Sequence, residues 1–148
     1  MTTYVGTQNG RAIHSTQDCG NAWIDSNKVT PAAALATTDV IVALQVPAGV
    51  KLEMLRYYNG DFDTGTTLAV NIGYRTRLPG GTATSLTYFA SASTVMRAAT
   101  TAWQELVFEP VKFDEPVEIV FIPSAAATGV TGTPSLFVQG MGAMVGIS

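Results

Sequence analysis

The histidine and the cysteine of the chain are the first residues to consider for chemistry, because imidazole and thiol groups form many nucleophile and base pairs. His14 and Cys19 lie five residues apart in a segment without regular periodicity. A Cys/His pair needs a third group that orients the base. A zinc site made with Asp18 would lack the fourth protein ligand of a structural site, although an open catalytic site uses three. No neighbouring residue in the sequence is placed to activate the thiol. We therefore interpret them as a surface histidine and a small, half-buried cysteine.

Asp61 and Asp63, followed by Gly65, look like the beginning of a calcium-binding loop, in which oxygen ligands alternate around a tight turn. The third polar ligand, the glycine at the sixth position and the closing glutamate are missing. Aspartates in turns commonly accept hydrogen bonds from their own backbone. We therefore predict a hairpin loop capped by its own aspartates, with no metal and no other cofactor.

Five carboxylates crowd one stretch of the chain: Glu105, Glu109, Asp114, Glu115 and Glu118. Two of them could act as a pair in glycoside hydrolysis, but such an enzyme also needs a pre-formed pocket, and no aromatic residues cluster beside them to stack a sugar. No phosphate-binding loop, dinucleotide-binding fingerprint or Gly-x-Ser-x-Gly elbow occurs in the sequence. We therefore predict that the chain is not an enzyme and has no catalytic residues.

The composition argues against two classes of partner. Charged residues make up 13% of the 148 residues, and the formal net charge is -3. Such a surface has little electrostatic attraction for phosphate, so we expect neither a nucleic acid nor a membrane as partner. No stretch approaches the ~20 apolar residues that cross a bilayer, and the N-terminus lacks the basic and apolar regions of a secretion signal. We expect a soluble protein that is made in the cytosol and is either kept or assembled there.

Alternating hydrophobic residues predict an all-β chain, an antiparallel β-sandwich. In the run TTLAVNIGY, Leu68, Val70 and Ile72 alternate with small or polar residues, which is typical of a half-buried antiparallel strand. About seven or eight such strands follow one another at the spacing of roughly 8 to 12 residues found in sandwiches and barrels. Pro110 has no N–H to donate, so its strand must lie at an edge or a bulge. Three glycines in the last strand leave room for the close approach of another backbone or side chain.

The first 38 residues lack this periodicity, and glycines and Pro31 interrupt them. We therefore predict an irregular N-terminal arm or set of loops over residues 1–38, with room for one short strand, and a single sandwich domain over 39–148. Apolar side chains in an arm are costly to leave in water unless a partner covers them. Four of them are the candidate interface residues: Tyr4, Ile13, Trp23 and Ile24. Of the two tryptophans, Trp23 is thus the predicted interface anchor and Trp103, beside a strand, the predicted core residue.

A family resemblance lies in the run VPAGVKLEMLRYYNGDFDTGTTLAVNIGYRTRLPGG, from Val46 to Gly81. A Pro-Ala-Gly turn, a strand, an Asp-x-Asp-x-Gly-Thr loop and a strand ending in Gly-Tyr follow in that order. The run resembles jelly-roll cement, or decoration, proteins of tailed double-stranded DNA bacteriophage capsids. The resemblance implies a jelly-roll fold and a virion protein without catalytic activity, which binds the outer capsid surface and reinforces contacts between major capsid protein subunits. It also implies assembly in the host cytoplasm as a small homo-oligomer, with a dimer favoured over a trimer.

The residues leave a second class of function open, a jelly-roll receptor- or glycan-binding module of a phage tail or adhesin. Such a module needs an exposed aromatic cluster and a concave site. Tyr57, Tyr58 and Phe62 form the best cluster in the sequence, although core and rim positions explain them equally well. By strand alternation we place Leu52, Met54 and Tyr58 on one face of their strand and Tyr57 on the other.

Overall fold

The computed structural model describes residues 1–6 and 21–146. In these two ranges the chain forms strands, turns and loops and no helix, so there is also no helix there that could span a membrane. The strands are β1 (Thr3–Val5), β2 (Ala22–Val29), β3 (Val40–Val46), β4 (Val50–Asn59), β5 (Ala69–Thr76), β6 (Ser85–Ser93), β7 (Gln104–Leu106), β8 (Val111–Lys112), β9 (Val117–Ala125) and β10 (Leu136–Met144).

The strands form two sheets that pack face to face. The first sheet has the order β1-β3-β9-β5-β6, and the second has the order β2-β10-β4-β7, with β8 also paired to β4. From β2 onward, the chain crosses repeatedly between the sheets, and only β5 and β6 are consecutive neighbours within one sheet. This is the wiring of an eight-stranded jelly roll, in which β7 and β8 share one strand position and β1 is added in parallel beside β3. The predicted β-sandwich of jelly-roll type is confirmed.

The core lies between the sheets and follows the predicted alternation of β5. Leu68, Val70 and Ile72 are fully buried, which confirms the prediction made from the run TTLAVNIGY. β5 is a central strand of the first sheet, paired with β9 on one side and β6 on the other. Its inward side chains therefore meet those of the second sheet.

We expect Ile72→Ala to lower the free energy of unfolding by about 2 to 4 kcal/mol, because it removes buried apolar surface and leaves a cavity. Leu78→Ala removes a side chain of the same size from an exposed position just after β5, and should cost less than about 1 kcal/mol. Urea denaturation of the two variants measures both changes. Equal losses would show that the register assigned to β5 is wrong.

The expected N-terminal arm belongs in part to the sandwich. β1 pairs with β3, and β2 pairs with β10 along its whole length from Ala22 to Val29. The prediction of an irregular arm is therefore wrong for residues 22–29. The inward positions of β2 hold Trp23, Asp25, Asn27 and Val29. Because two of these four are polar, the period-two pattern that marks a half-buried strand is hidden in the sequence.

The predicted strand that contains Pro110 is also two strands rather than one. β7 ends at Leu106 and β8 begins at Val111, with Pro110 between them, and both pair with β4 at the edge of the second sheet. The edge position expected for Pro110 is confirmed, since proline has no N–H for a ladder. With β1 and β2 from the expected arm, the described residues form ten strands instead of the seven or eight predicted.

Two glycines of β10 permit close packing against it. A Cβ on Gly140 would lie 3.0 Å from the Trp23 ring and 3.1 Å from Leu44, and a Cβ on Gly142 would lie 2.1 Å from the carbonyl oxygen of Lys51. Room for the approach of another group, predicted from the glycines of this strand, is confirmed. Gly140 provides the space that the Trp23 indole fills in the core.

β4 contains a bulge that changes which face its side chains occupy. The register between β4 and β10 skips Glu53. Leu52 is buried before the bulge and Tyr57 is buried after it. Because a bulge offsets the alternation by one residue, the prediction that Leu52, Met54 and Tyr58 share a face is wrong. Met54 and Tyr58 lie on the outer face of the second sheet.

Candidate functional site

The four candidate interface residues have different positions. Trp23 is 2% exposed and belongs to the core, so its assignment as an exposed anchor is wrong: the alternation of β2 turns it inward, onto Gly140. Ile24, the next residue, is 61% exposed on the outer face of the second sheet. Tyr4 in β1 is half-buried and packs against the core. Ile13 lies outside the described residues, as do His14, Asp18 and Cys19.

An aromatic cluster lies on the outer face of the second sheet, and Tyr58 is its one member that the sequence analysis named as a candidate binding residue. Trp103, predicted to be core, is 45% exposed. The ring centroids of Trp103 and Tyr58 are 6.3 Å apart. The ring centroids of Tyr58 and Phe137, which lie on neighbouring strands, are 6.2 Å apart. Tyr58 reaches this face only because the bulge at Glu53 reverses the alternation of β4. The polar residues Gln104 and Glu105 directly after Trp103 are the one signal of exposure that the sequence offered.

Two cations lie over rings of this cluster. The Arg56 guanidinium is 4.9 Å from the Trp103 ring centroid, and the Lys28 ammonium is 5.3 Å from that of Phe137. Arg56 Nε also donates a hydrogen bond of 2.6 Å to Oε1 of Gln139. A cation at these distances is attracted by the negative face of the ring. We call these five residues, Lys28, Arg56, Tyr58, Trp103 and Phe137, the aromatic–cation cluster.

A shallow groove and an apolar row adjoin the cluster. The groove has a volume of about 250 Å³, and Lys28, Trp103, Phe137 and Gln139 contribute to its lining. The apolar row consists of three cross-strand neighbours on β2, β10 and β4: Ile24, Met141 and Met54. The outer face of the second sheet therefore combines exposed rings, cations and aliphatic side chains.

Asp63 connects two loops at one end of the sandwich. Its carboxylate is buried. Four backbone N–H groups donate to it: those of Gly65 (3.1 Å), Thr67 (2.8 Å), Leu68 (2.7 Å) and Thr128 (2.8 Å). Burial by itself raises the pKa of this carboxyl, but the four donors outweigh it, and the pKa of Asp63 lies well below its ordinary range.

The prediction of a loop capped by its own aspartates is confirmed, since Asp61 also accepts a hydrogen bond, of 3.0 Å, from the N–H of Asp63. The loop is not a hairpin, however. It carries the chain from β4 in the second sheet to β5 in the first, and the bond from Thr128 ties it to the loop after β9.

We expect calcium to leave the stability of the protein unchanged, because both oxygens of Asp63 already accept hydrogen bonds from the backbone. In the part of the chain that the structure describes, no three acidic, histidine or cysteine side chains group as metal ligands. Thermal melts with calcium and with excess chelator should therefore coincide. A ligand at 100 times its dissociation constant adds about 2.7 kcal/mol, so a calcium-dependent shift of several degrees would contradict the capped-loop interpretation.

The carboxylates between residues 105 and 118 lie at the surface or stabilise turns. Glu115 accepts hydrogen bonds from the backbone N–H groups of Ala83 and Thr82 and from the Thr76 hydroxyl, and these bonds lower its pKa. The acid of a glycosidase needs a raised pKa instead. The other four are placed as follows: Glu118 pairs with Arg75, Asp114 pairs with Lys112, and Glu105 and Glu109 are exposed.

Comparison with known proteins gives a likeness in structure. No protein-family model matches the chain, and no curated protein matches it. A chain in the capsid asymmetric unit of cyanophage Pam1 is 19% identical with a TM-score of 0.67, over 93% of this chain and 96% of that one. A chain in the capsid of Ralstonia phage GP4 is also 19% identical with a TM-score of 0.67, over 99% of this chain and 100% of that one. The chain therefore shares its fold, over nearly its whole length, with chains present in two phage capsids.

Proposed function

We propose that the chain is a structural virion protein that binds the outer surface of a phage capsid and reinforces contacts between major capsid protein subunits. The observation that carries this proposal is the likeness in fold, over nearly the full length of both partners, to chains of the Pam1 and GP4 capsids. The order of turn, strand and acidic loop from Val46 to Gly81, which resembles that of capsid cement proteins, supports it separately.

The physical properties of the chain suit such a role. Only 13% of its residues are charged, so contact with a shell desolvates few ions. The carboxylate of Asp63 ties two loops together, and Glu115 ties the turn between β5 and β6 to residues before β9. Many copies on one particle gain from effective concentration, so a modest affinity per contact suffices. The proposal includes a small homo-oligomer, a dimer favoured over a trimer, and no catalysis or cofactor.

A second candidate function is a receptor- or glycan-binding module of a phage tail or adhesin. One observation favours it: Tyr58, Trp103 and Phe137 form a partly exposed aromatic cluster beside a groove. The original candidates Tyr57 and Phe62 do not contribute, because both are buried. Aromatic rings beside polar side chains are a common lining of small-ligand sites.

Binding to shells and to glycans separates the two functions. The purified full-length protein is sedimented with undecorated capsids of the phage that encodes it, and with capsids of an unrelated phage as control. The same sample is applied to a glycan array. We expect saturable binding to the cognate shells and none to the array. Binding to glycans without binding to shells would replace the first function with the second.

A further inference from the structure

We propose that the outer face of the second sheet is the surface that docks on the shell, and that it takes a segment carrying a carboxylate beside an apolar side chain. This inference rests on the proposed function. It concerns the aromatic–cation cluster and the adjoining row of Ile24, Met141 and Met54.

The residue types on this face are those that carry binding energy in protein interfaces. Trp, Tyr and Arg are enriched among interface hot spots, and Trp103, Tyr58 and Arg56 stand together here. Trp103 is 45% and Tyr58 36% exposed. Arg56 is held in place by the Trp103 ring and by its hydrogen bond to Gln139, so less side-chain entropy remains to be lost when a partner binds.

The two cations on this face favour a partner that carries a negative charge. Ion pairs among the described residues join Lys51 to Glu53, Arg75 to Glu118 and Lys112 to Asp114. Arg56 and Lys28 are in none of them, and Glu105, opposite Arg56 in register, is not within ion-pair distance of it. In a protein of net charge -3, two such cations on one face favour an incoming carboxylate. They stand on β4 and β2, on either side of β10, so a carboxylate above Gln139 lies between them.

The spacing of residues along β10 determines where the bound segment should carry its apolar side chain. Met141 is two residues from Gln139, and strand residues rise by about 3.3 Å each. The apolar row therefore lies about 7 Å from the place for the carboxylate. An extended segment with an acidic residue and an aliphatic or aromatic residue two positions apart has the same spacing, and the exposed Ile24 gives it a surface to cover.

The edges of the second sheet are poor alternatives to its face. On β2, Asp25 accepts a hydrogen bond from the N–H of Ser26 at 2.8 Å, and Asn27 accepts one from the N–H of Lys28 at 2.9 Å. The backbone N–H groups of Ser26 and Lys28 are therefore already hydrogen-bonded, and an added strand would need both of them as donors. The opposite edge consists of β7 and β8, which have three and two residues. Neither edge offers a long ladder for strand addition.

The test compares four variants of the full-length protein in sedimentation with undecorated cognate shells. Arg56→Glu and Trp103→Ala change the proposed docking face. Arg77→Glu and Leu78→Ala are matched controls at exposed positions outside it. We expect the first two to raise the apparent Kd at least about 10-fold and the controls to stay within about twofold. Melting temperatures identify any variant that is not folded, and Tyr58→Ala then replaces it.

Carbodiimide cross-linking adds a readout that does not depend on a variant. It joins an amine to a carboxylate in contact, so Lys28 should be linked to an Asp or Glu of the shell. If the wild-type protein does not bind shells, the proposed function itself fails. If it binds and both face variants bind equally well, the docking face is wrong. Loss of self-association or of glycan binding in these variants, with shell binding intact, would also overturn it in favour of a second copy or a sugar.

Discussion

Replacing Trp23 with alanine is expected to lower the free energy of unfolding by about 3 to 5 kcal/mol, the usual cost of truncating a fully buried aromatic side chain. The indole is 2% exposed and fills the space above Gly140, where a Cβ would lie 3.0 Å from its ring. Trp103→Ala makes the same chemical change on the outer face and should cost less than about 1 kcal/mol.

Urea denaturation followed by circular dichroism measures both losses without relying on tryptophan fluorescence. Trp23→Phe is the conservative control. It keeps most of the apolar contact, and the indole N–H has no hydrogen-bond partner among the described residues, so its removal leaves no acceptor unpaired there. Similar losses for Trp23→Ala and Trp103→Ala would contradict the placement of β2 in the second sheet.

Asp63→Asn is expected to cost about 3 kcal/mol, because charge-assisted hydrogen bonds contribute roughly 1.5 to 3 kcal/mol each and are not additive. The buried carboxylate accepts four backbone N–H groups from two loops. An amide offers one acceptor oxygen, and its NH2 group faces donors. Asp61→Asn is the matched control, since Asp61 is exposed and accepts one N–H from the backbone. Asp61→Asn should cost less than about 1 kcal/mol. Equal losses of stability in the two variants would contradict the role of Asp63 in connecting the two loops.

The same carboxylate predicts how stability depends on pH. The pKa of Asp63 is depressed in the folded protein, relative to about 3.9 for an unfolded aspartate. Its stabilisation is therefore fully present above the unfolded pKa and is lost as the pH falls below it towards the folded pKa. Thermal melts should show a constant gap between wild type and Asp63→Asn from pH 7 to about pH 5. The gap should narrow below about pH 4, and a gap that persists in strong acid would refute the assignment.

Some features of the fold could be predicted from the sequence because a local pattern of residues determines each of them. The alternation of Leu68, Val70 and Ile72 matches the half-buried face of β5, and no long-range information is needed to see it. The capping by Asp61 and Asp63 is similarly local, since most of the N–H donors lie within five residues of the acceptor. The fourth donor, from Thr128, is 65 residues away and could not be read from the loop sequence.

Other features depend on contacts between distant segments. The sequence of β2 shows no period of two because the polar residues Asp25 and Asn27 occupy inward positions. A polar side chain is stable at such a position when it is hydrogen-bonded, as Asn27 is to the carbonyl oxygen of Ala43. Trp23 is therefore buried where exposure was expected, and Trp103, just before β7, is exposed where burial was expected. A truncation at residue 30, which the arm interpretation would have allowed, removes a whole strand from the second sheet.

The aromatic–cation cluster shows the same dependence. Its members come from β2, β4, β10 and the turn before β7, and they meet only because these strands are neighbours in the second sheet. Tyr58 faces outward because of the bulge at Glu53, and a bulge in one strand is not marked by residue type in this sequence. Sequence reasoning identified two residues of this face, Ile24 as a candidate interface residue and Tyr58 as a candidate binding aromatic.

The proposed function places the chain in a phage, and a cryo-electron microscopy reconstruction of purified virions of that phage tests whether the chain is a capsid component. We expect density for the two-sheet sandwich on the outside of the shell, where each copy contacts neighbouring major capsid protein subunits and the second sheet faces the shell. The proposed function would be contradicted if mass spectrometry did not detect the chain in purified virions, or if the reconstruction located it only in the tail.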